Sequence, residues 1–134
     1  MATMRPTILV ADDDDGLRQL LRLILQREGF DVVEAINGEQ ALARAADSAP
    51  ELILLDVMMP GMDGFTVCRE LKRNKHTDGV PVIFFSAAED ISRRNEALKI
   101  GAVDCIKKPI GPRDLVARIR GVMNQNGNGA LAAT

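Results

Sequence analysis

Short apolar runs and longer amphipathic stretches alternate five times along this chain of 134 residues. The runs are "TILVA" (7–11), "DVVEA" (31–35), "ELILLD" (51–56), "PVIFFS" (81–86) and "VDCIK" (103–107). Their length and their aliphatic, β-branched content predict five strands, several apolar on both faces. The stretches between them carry helical spacing. Leu17, Leu20, Leu21, Ile24 and Leu25 recur at i, i+3, i+4, i+7 and i+8, the inward face of a first helix, and Gly29 offers its left-handed stop. Residues 37–48 predict a second helix with Ala41, Leu42 and Ala45 inward, closed before Pro50. "PGMDG" is a turn, and 65–74 a third helix. A fourth spans about 89–100, with Ile91, Ala97 and Leu98 among its apolar positions, and ends at Gly101. Pro112 opens a last helix carrying Leu115, Val116, Ile119 and Val122; a proline is tolerated in a first turn. One domain, 6–124, is expected, followed by a flexible tail or linker over 125–134 that shows no periodicity.

A fivefold βα alternation predicts an α/β fold, a parallel sheet with helices on both faces. In such sheets ligands bind outside the carboxyl ends of the strands, where the strand order switches. That rule selects residues. Strand one ends in Asp12 and Asp13, strand three in Asp56, strand four in Ser86, and strand five is followed by Lys108 and Pro109. Strand two contributes no obvious polar group. Carboxylate oxygens are hard ligands that suit Mg²⁺ or Mn²⁺. A cation also explains how the run Asp12–Asp15 is tolerated, since unit charges about 4 Å apart repel by roughly 4 kcal/mol near a protein surface. Asp14 and Asp15 have another use: Asp14 fits a helix N-cap, and Asp15 the first turn, where the helix dipole favours negative charge.

Composition narrows the field. Formal net charge is −2, Trp and Tyr are absent and only 4 Phe occur. This domain therefore offers neither a basic face nor a stacking platform for nucleic acid. No apolar stretch approaches the ~20 residues of a membrane span. The N-terminus lacks the apolar core of a signal peptide, which predicts a cytoplasmic protein. Cys68 and Cys105 have no metal or redox spacing and read as reduced core residues. His76, within "NKHTDG", reads as a surface loop residue.

The segments "ILVADDD", "PELILLDVMMPGMDGF", "PVIFFSA" and "GAVDCIKKPI" together resemble the receiver domain of bacterial two-component response regulators, from about Pro6 to Met123. The resemblance implies a flavodoxin-like, doubly wound (βα)5 sheet with strand order 2-1-3-4-5. It implies Asp56 as phosphoacceptor and Mg²⁺ held by Asp12, Asp13, Asp56 and the backbone carbonyl of Met58. Ser86 becomes the switch hydroxyl and Lys108 the phosphoryl contact, with a cis peptide before Pro109. The implied donor is the phosphohistidine of a sensor histidine kinase or phosphotransfer protein. The implied output is a downstream protein or domain, reached through the face of helix four, strand five and helix five. Such a receiver catalyses its own phosphorylation and hydrolysis and is a switch, not a turnover enzyme. Asp104, with Arg113 and Arg118 near it in sequence, reads either as a source of homodimer ion pairs on that face or as part of ordinary exposed helix charge. The chain departs from the family where Cys105 and Ile110 stand at usually aromatic positions. Phe84 and Phe85 are expected in the core. Met58 and Ala88 offer no group to orient an attacking water, so a slowly hydrolysing acyl phosphate is expected.

Three other readings compete. A Mg²⁺-dependent phosphohydrolase of the haloacid-dehalogenase type needs a second Asp two residues after the nucleophile, where Met58 stands. A degenerate receiver that takes no phosphate would not need the full Asp12, Asp13, Asp56, Ser86 and Lys108 set. A flavodoxin relative would want hydroxyls and free backbone donors in the first loop, which here is acidic.

Overall fold

Strands that are apolar on both faces need a layer of helices on each side. The computed structural model, which describes residues 5–87 and 93–127, has that arrangement. Strands β1 (Thr7–Ala11), β2 (Asp31–Ala35), β3 (Leu52–Leu55), β4 (Val82–Ser86) and β5 (Asp104–Lys107) alternate with helices. These are α1 (Asp15–Arg27), α2 (Gly38–Ser48), α3 (Gly64–Arg73), α4 (Arg94–Lys99) and α5 (Pro112–Gly127). The sheet order is β2-β1-β3-β4-β5, and every pairing is parallel.

Alternate strand residues divide the interior in two. Ile8, Val10, Leu52, Leu54 and Ile83 pack with Leu21 and Leu25 of α1 and Leu115 and Ile119 of α5. Leu9, Ala11, Ile53, Leu55 and Phe84 face α2, α3 and α4, meeting Ala41, Ala45, Phe65, Leu71 and Ala97. The starts of α1, α2 and α3 are fixed by side-chain caps. Asp14 accepts from the Leu17 amide at 3.1 Å, Asn37 from Gln40 at 2.8 Å and Asp63 from Thr66 at 2.9 Å. Gly29 and Gly101 adopt positive φ after α1 and α4, as expected of helix stops.

Several expectations need correction. Leu20 is 54% exposed; at about 100° per residue it lies to one side of the stripe centred on Leu21 and Leu25. Arg18 takes the inward place on α1 instead. Val103 precedes β5 and is exposed, and β3 omits Glu51 and Asp56. Helix α5 runs to Gly127, three residues into the stretch expected to lack periodic structure, because a nucleated helix gains a hydrogen bond with each added residue. The described part of the fourth helix is Arg94–Lys99; Glu89 and Ile91 lie outside the described residues. Cys68 and Cys105 are free and buried, Phe84 and Phe85 are in the core, and His76 is exposed.

Candidate functional site

The order in which strands are added reverses after β2, and β1 and β3 flank that switch point. Ala11 pairs with Leu55, and the Asp56 amide donates to the Ala11 carbonyl at 3.0 Å. The residues that follow, Asp12 and Asp56, therefore leave adjacent strands side by side. On the other flank Ser86 pairs with Lys107, and the Lys108 amide donates to the Ser86 carbonyl at 2.7 Å. Lys108 is joined to Pro109 by a cis peptide. Strand register alone thus brings four strand ends to one place.

The side chains meet there. Asp12, Asp13 and Asp56 each present a carboxylate oxygen, and these lie within 4.8 Å of one another. Asp12 and Asp56 are only 3% and 7% exposed, while Asp13 stands at the exposed rim. The Lys108 Nζ donates to Asp12 Oδ2 at 2.7 Å and lies 3.5 Å from Asp56 Oδ2. Its ammonium also sits 5.5 Å from the centre of the Phe85 ring. Ser86 Oγ donates to Asp56 Oδ1 at 2.5 Å and accepts from the Val57 amide at 2.7 Å. The Met58 amide donates to Asp56 Oδ1 at 3.3 Å, and the Met58 side chain is 60% exposed. Ala88 lies outside the described residues.

The electrostatics of this pit are unbalanced. Burial pushes the Asp56 carboxyl above its ordinary value. The Ser86 hydrogen bond opposes that rise, the Asp12 charge adds to it, and Lys108 and the Met58 amide hold it back. Three carboxylates face one ammonium, an excess of two negative charges. Hard oxygen donors, an open rim at Asp13 and that charge excess fit one small divalent cation.

Three contributors escape a reading of motifs. Arg18 is buried, and its Nη1 donates to the Asp12 carbonyl at 2.7 Å. Glu34, on β2, accepts from Arg18 Nε at 3.0 Å and from Arg22 Nε at 2.7 Å. Gly64 opens α3 directly against the segment that follows β3: a Cβ there would lie 2.3 Å from the Asp56 carbonyl oxygen. The spacing of Gly64 eight residues after Asp56 was visible, but the close approach that demands a glycine was not. Away from the pit, Asp104 pairs within the chain, with Arg118 at 2.5 Å and Arg94 at 3.4 Å. Arg94 also donates to the Cys105 carbonyl at 3.0 Å.

Sheet order and helix placement define a flavodoxin-like fold of the CheY kind. The chain belongs to the response regulator receiver domain family, whose sequence profile matches residues 8–120. It is 42% identical over 126 residues to the DNA-binding response regulator MtrA of Mycolicibacterium smegmatis, covering 94% of this chain and 54% of that protein. It is 40% identical over 123 residues to the phosphate regulon transcriptional regulatory protein PhoB of Pseudomonas aeruginosa, covering 92% and 54%. The chain thus spans about half the length of the curated relatives it matches. Among solved structures, the CheY-like response regulator receiver domain protein of Methanospirillum hungatei JF-1 superposes with a TM-score of 0.87 at 25% identity, covering 94% and 99% of the two chains. This is not an enzyme family in the ordinary sense. Receiver domains bind Mg²⁺ at a cluster of acidic residues, and this chain carries one such cluster. Among the described residues, no helix is long and apolar enough to cross a membrane.

Proposed function

We propose that this chain, through a domain spanning about residues 6–124, accepts a phosphoryl group on Asp56 and signals by the change that follows. The observation that carries the proposal is the convergence of Asp12, Asp13, Ser86 and Lys108 on the Asp56 carboxylate. Asp12, Asp13, Asp56 and the backbone carbonyl of Met58 would hold Mg²⁺, or Mn²⁺ in its place. When bound, that cation supplies charge neutralisation on the transferring oxygens. The chain's own groups do the rest. Asp56 presents a carboxylate oxygen, Lys108 adds a second positive charge 3.5 Å away, and burial excludes water. Asp56 attacks phosphorus: the N–P bond of a donor phosphohistidine breaks, an O–P bond to Asp56 forms, and the imidazole leaves.

The donor would be a sensor histidine kinase or a phosphotransfer protein, in the cytoplasm. After transfer, Ser86 has a new charged acceptor, and a charge-assisted hydrogen bond to it shifts the face formed by α4, β5 and α5 toward its signalling state. Cys105 is buried on β5 with no aromatic side chain to rotate. The shift therefore works through packing and through the Asp104–Arg118–Arg94 ion pairs on that face. A downstream output protein or domain would read it. A homodimer through α4-β5-α5 would require Asp104 to exchange those internal partners.

The test is incubation of the chain with Mg²⁺ and a small acyl-phosphate donor, followed by intact-mass measurement. The expected result is a gain of about 80 Da, one phosphoryl group, that is absent from Asp56→Asn. Absence of the adduct in the unsubstituted chain, or its persistence in Asp56→Asn, contradicts the assignment. Sustained turnover of phosphate esters would favour a phosphohydrolase instead.

A further inference from the structure

The loop that carries Asp12 and Asp13 is held from behind by a buried cation. Arg18 is 8% exposed. Its Nη1 donates to the Asp12 carbonyl at 2.7 Å, its Nε donates to Glu34 Oε1 at 3.0 Å, and its Nη2 pairs with Asp15. The second Glu34 oxygen is occupied by Arg22 at 2.7 Å. The Asp12 carbonyl oxygen belongs to the planar peptide unit that ends at the Asp13 Cα. Anchoring that oxygen therefore fixes the direction in which Asp13 leaves the sheet.

The three carboxylates of the pit differ in what holds them. Asp12 is fixed by Lys108 at 2.7 Å and by the Asp14 amide at 2.9 Å. Asp56 is fixed by Ser86 and the Met58 amide. Among the described residues, no hydrogen bond holds the Asp13 carboxylate, so its backbone alone aims it. We propose that Arg18 is a positioning residue for divalent-cation binding, acting by clamping the Asp12–Asp13 peptide so that Asp13 faces Asp12 and Asp56. The inference rests on reading the acidic cluster as a Mg²⁺ site.

Two physical effects of Arg18 have opposite signs. As a charge it repels a cation, so its removal would tighten binding. As a clamp it pre-orders one ligand, so its removal makes the incoming ion order that ligand and weakens binding. Groups that orient metal ligands are commonly worth 10–100-fold in affinity; acting on one carboxylate of three, Arg18 is expected to contribute about tenfold.

The experiment titrates the full chain with Mn²⁺, following the free ion by electron paramagnetic resonance, with urea unfolding measured in parallel. Wild type is expected to bind, and Arg18→Met to bind about tenfold more weakly. Arg22→Met removes an ion pair to the same Glu34 without touching Asp12, and its Mn²⁺ affinity is expected to stay unchanged. Arg18→Lys keeps the charge but loses the guanidinium fork, and is expected to fall between wild type and Arg18→Met. Equal or tighter binding by Arg18→Met overturns the proposal, as does an equal weakening in Arg22→Met. If Arg18→Met does not fold, Arg18→Lys decides: weaker binding supports the clamp and wild-type affinity overturns it. A wild type that binds no Mn²⁺ overturns the metal reading and this inference with it. A wild type that binds beside an insensitive Arg18→Met overturns the role of Arg18 alone.

Discussion

Two clusters of carboxylates sit within a few residues of each other, and they are built on opposite plans. Around Glu34, two guanidiniums close on one carboxylate, with Asp15 also paired to Arg18. Burial raises the Glu34 carboxyl, but the hydrogen bonds and charges of Arg22 and Arg18 outweigh it and leave the group below its ordinary value. Around Asp56, burial acts in the same direction, and the single ammonium of Lys108 is shared with Asp12. That carboxyl ends above its ordinary value. Asp56 is the more deeply buried of the two and has only a share of one ammonium, whereas Glu34 has two guanidiniums; both differences push the outcome the same way. The first cluster is complete as folded and serves the fold. The second carries excess negative charge, which costs stability and creates an appetite for a cation.

The sharpest way to break this contrast is to remove Glu34. Glu34→Ala leaves the buried Arg18 with only the exposed Asp15 as a charged partner and is expected to cost about 2–3 kcal/mol in urea unfolding, discounted for the partial exposure of Glu34. The pH dependence has a definite sign. Because the folded carboxyl titrates below its ordinary 4.5, its contribution is whole above that value and is lost as pH falls through the lower folded value. Wild type should therefore lose more stability than Glu34→Ala does as pH falls below 4.5. Equal acid sensitivity of the two proteins would show that Glu34 is not the balanced group described here.

The opposite sign is expected in the pit. Asp56→Asn removes a desolvated charge and keeps an acceptor for Ser86, so without divalent ions it should stabilise the fold by about 1 kcal/mol. With Mg²⁺ at a hundred times its dissociation constant, wild type should gain about 2.7 kcal/mol that the variant lacks, reversing their order. Thermal melts with and without Mg²⁺ read both halves. The smallest effect concerns Met58, whose exposed side chain offers attacking water no hydrogen bond. Met58→Asn is expected to speed loss of phosphate from Asp56 by about threefold, well under 1 kcal/mol in the barrier. Decay of the phosphorylated mass at unchanged rate would remove Met58 from the account.

The contrast also tells which parts of this protein can be read from its sequence. Strands were legible because residues buried on both faces must be apolar, as in "LILL" and "VIFF". The pit was legible because strand ends converge by topology, so Asp12, Asp56, Ser86 and Lys108 needed no knowledge of packing. Arg18 was hidden by the same logic: a charged residue inside an amphipathic helix reads as flanking the apolar stripe. Its burial depends on Glu34, sixteen residues away, which no periodicity connects to it. Leu20 was the converse error, an apolar side chain that helix geometry turns outward. The need for Gly64 arises from a backbone approach between α3 and the Asp56 segment, visible only in three dimensions.

Lys108 and Asp12 are separated by 96 positions in the chain yet touch at 2.7 Å. A nascent polypeptide that has completed β3 already owns its acidic groups, but it has neither the hydroxyl of β4 nor the ammonium that follows β5. On the proposed phosphoacceptor role, competence to carry the chemical mark would therefore arrive only with the last strand, and a copy that ends before it would lack the ammonium the transfer calls on.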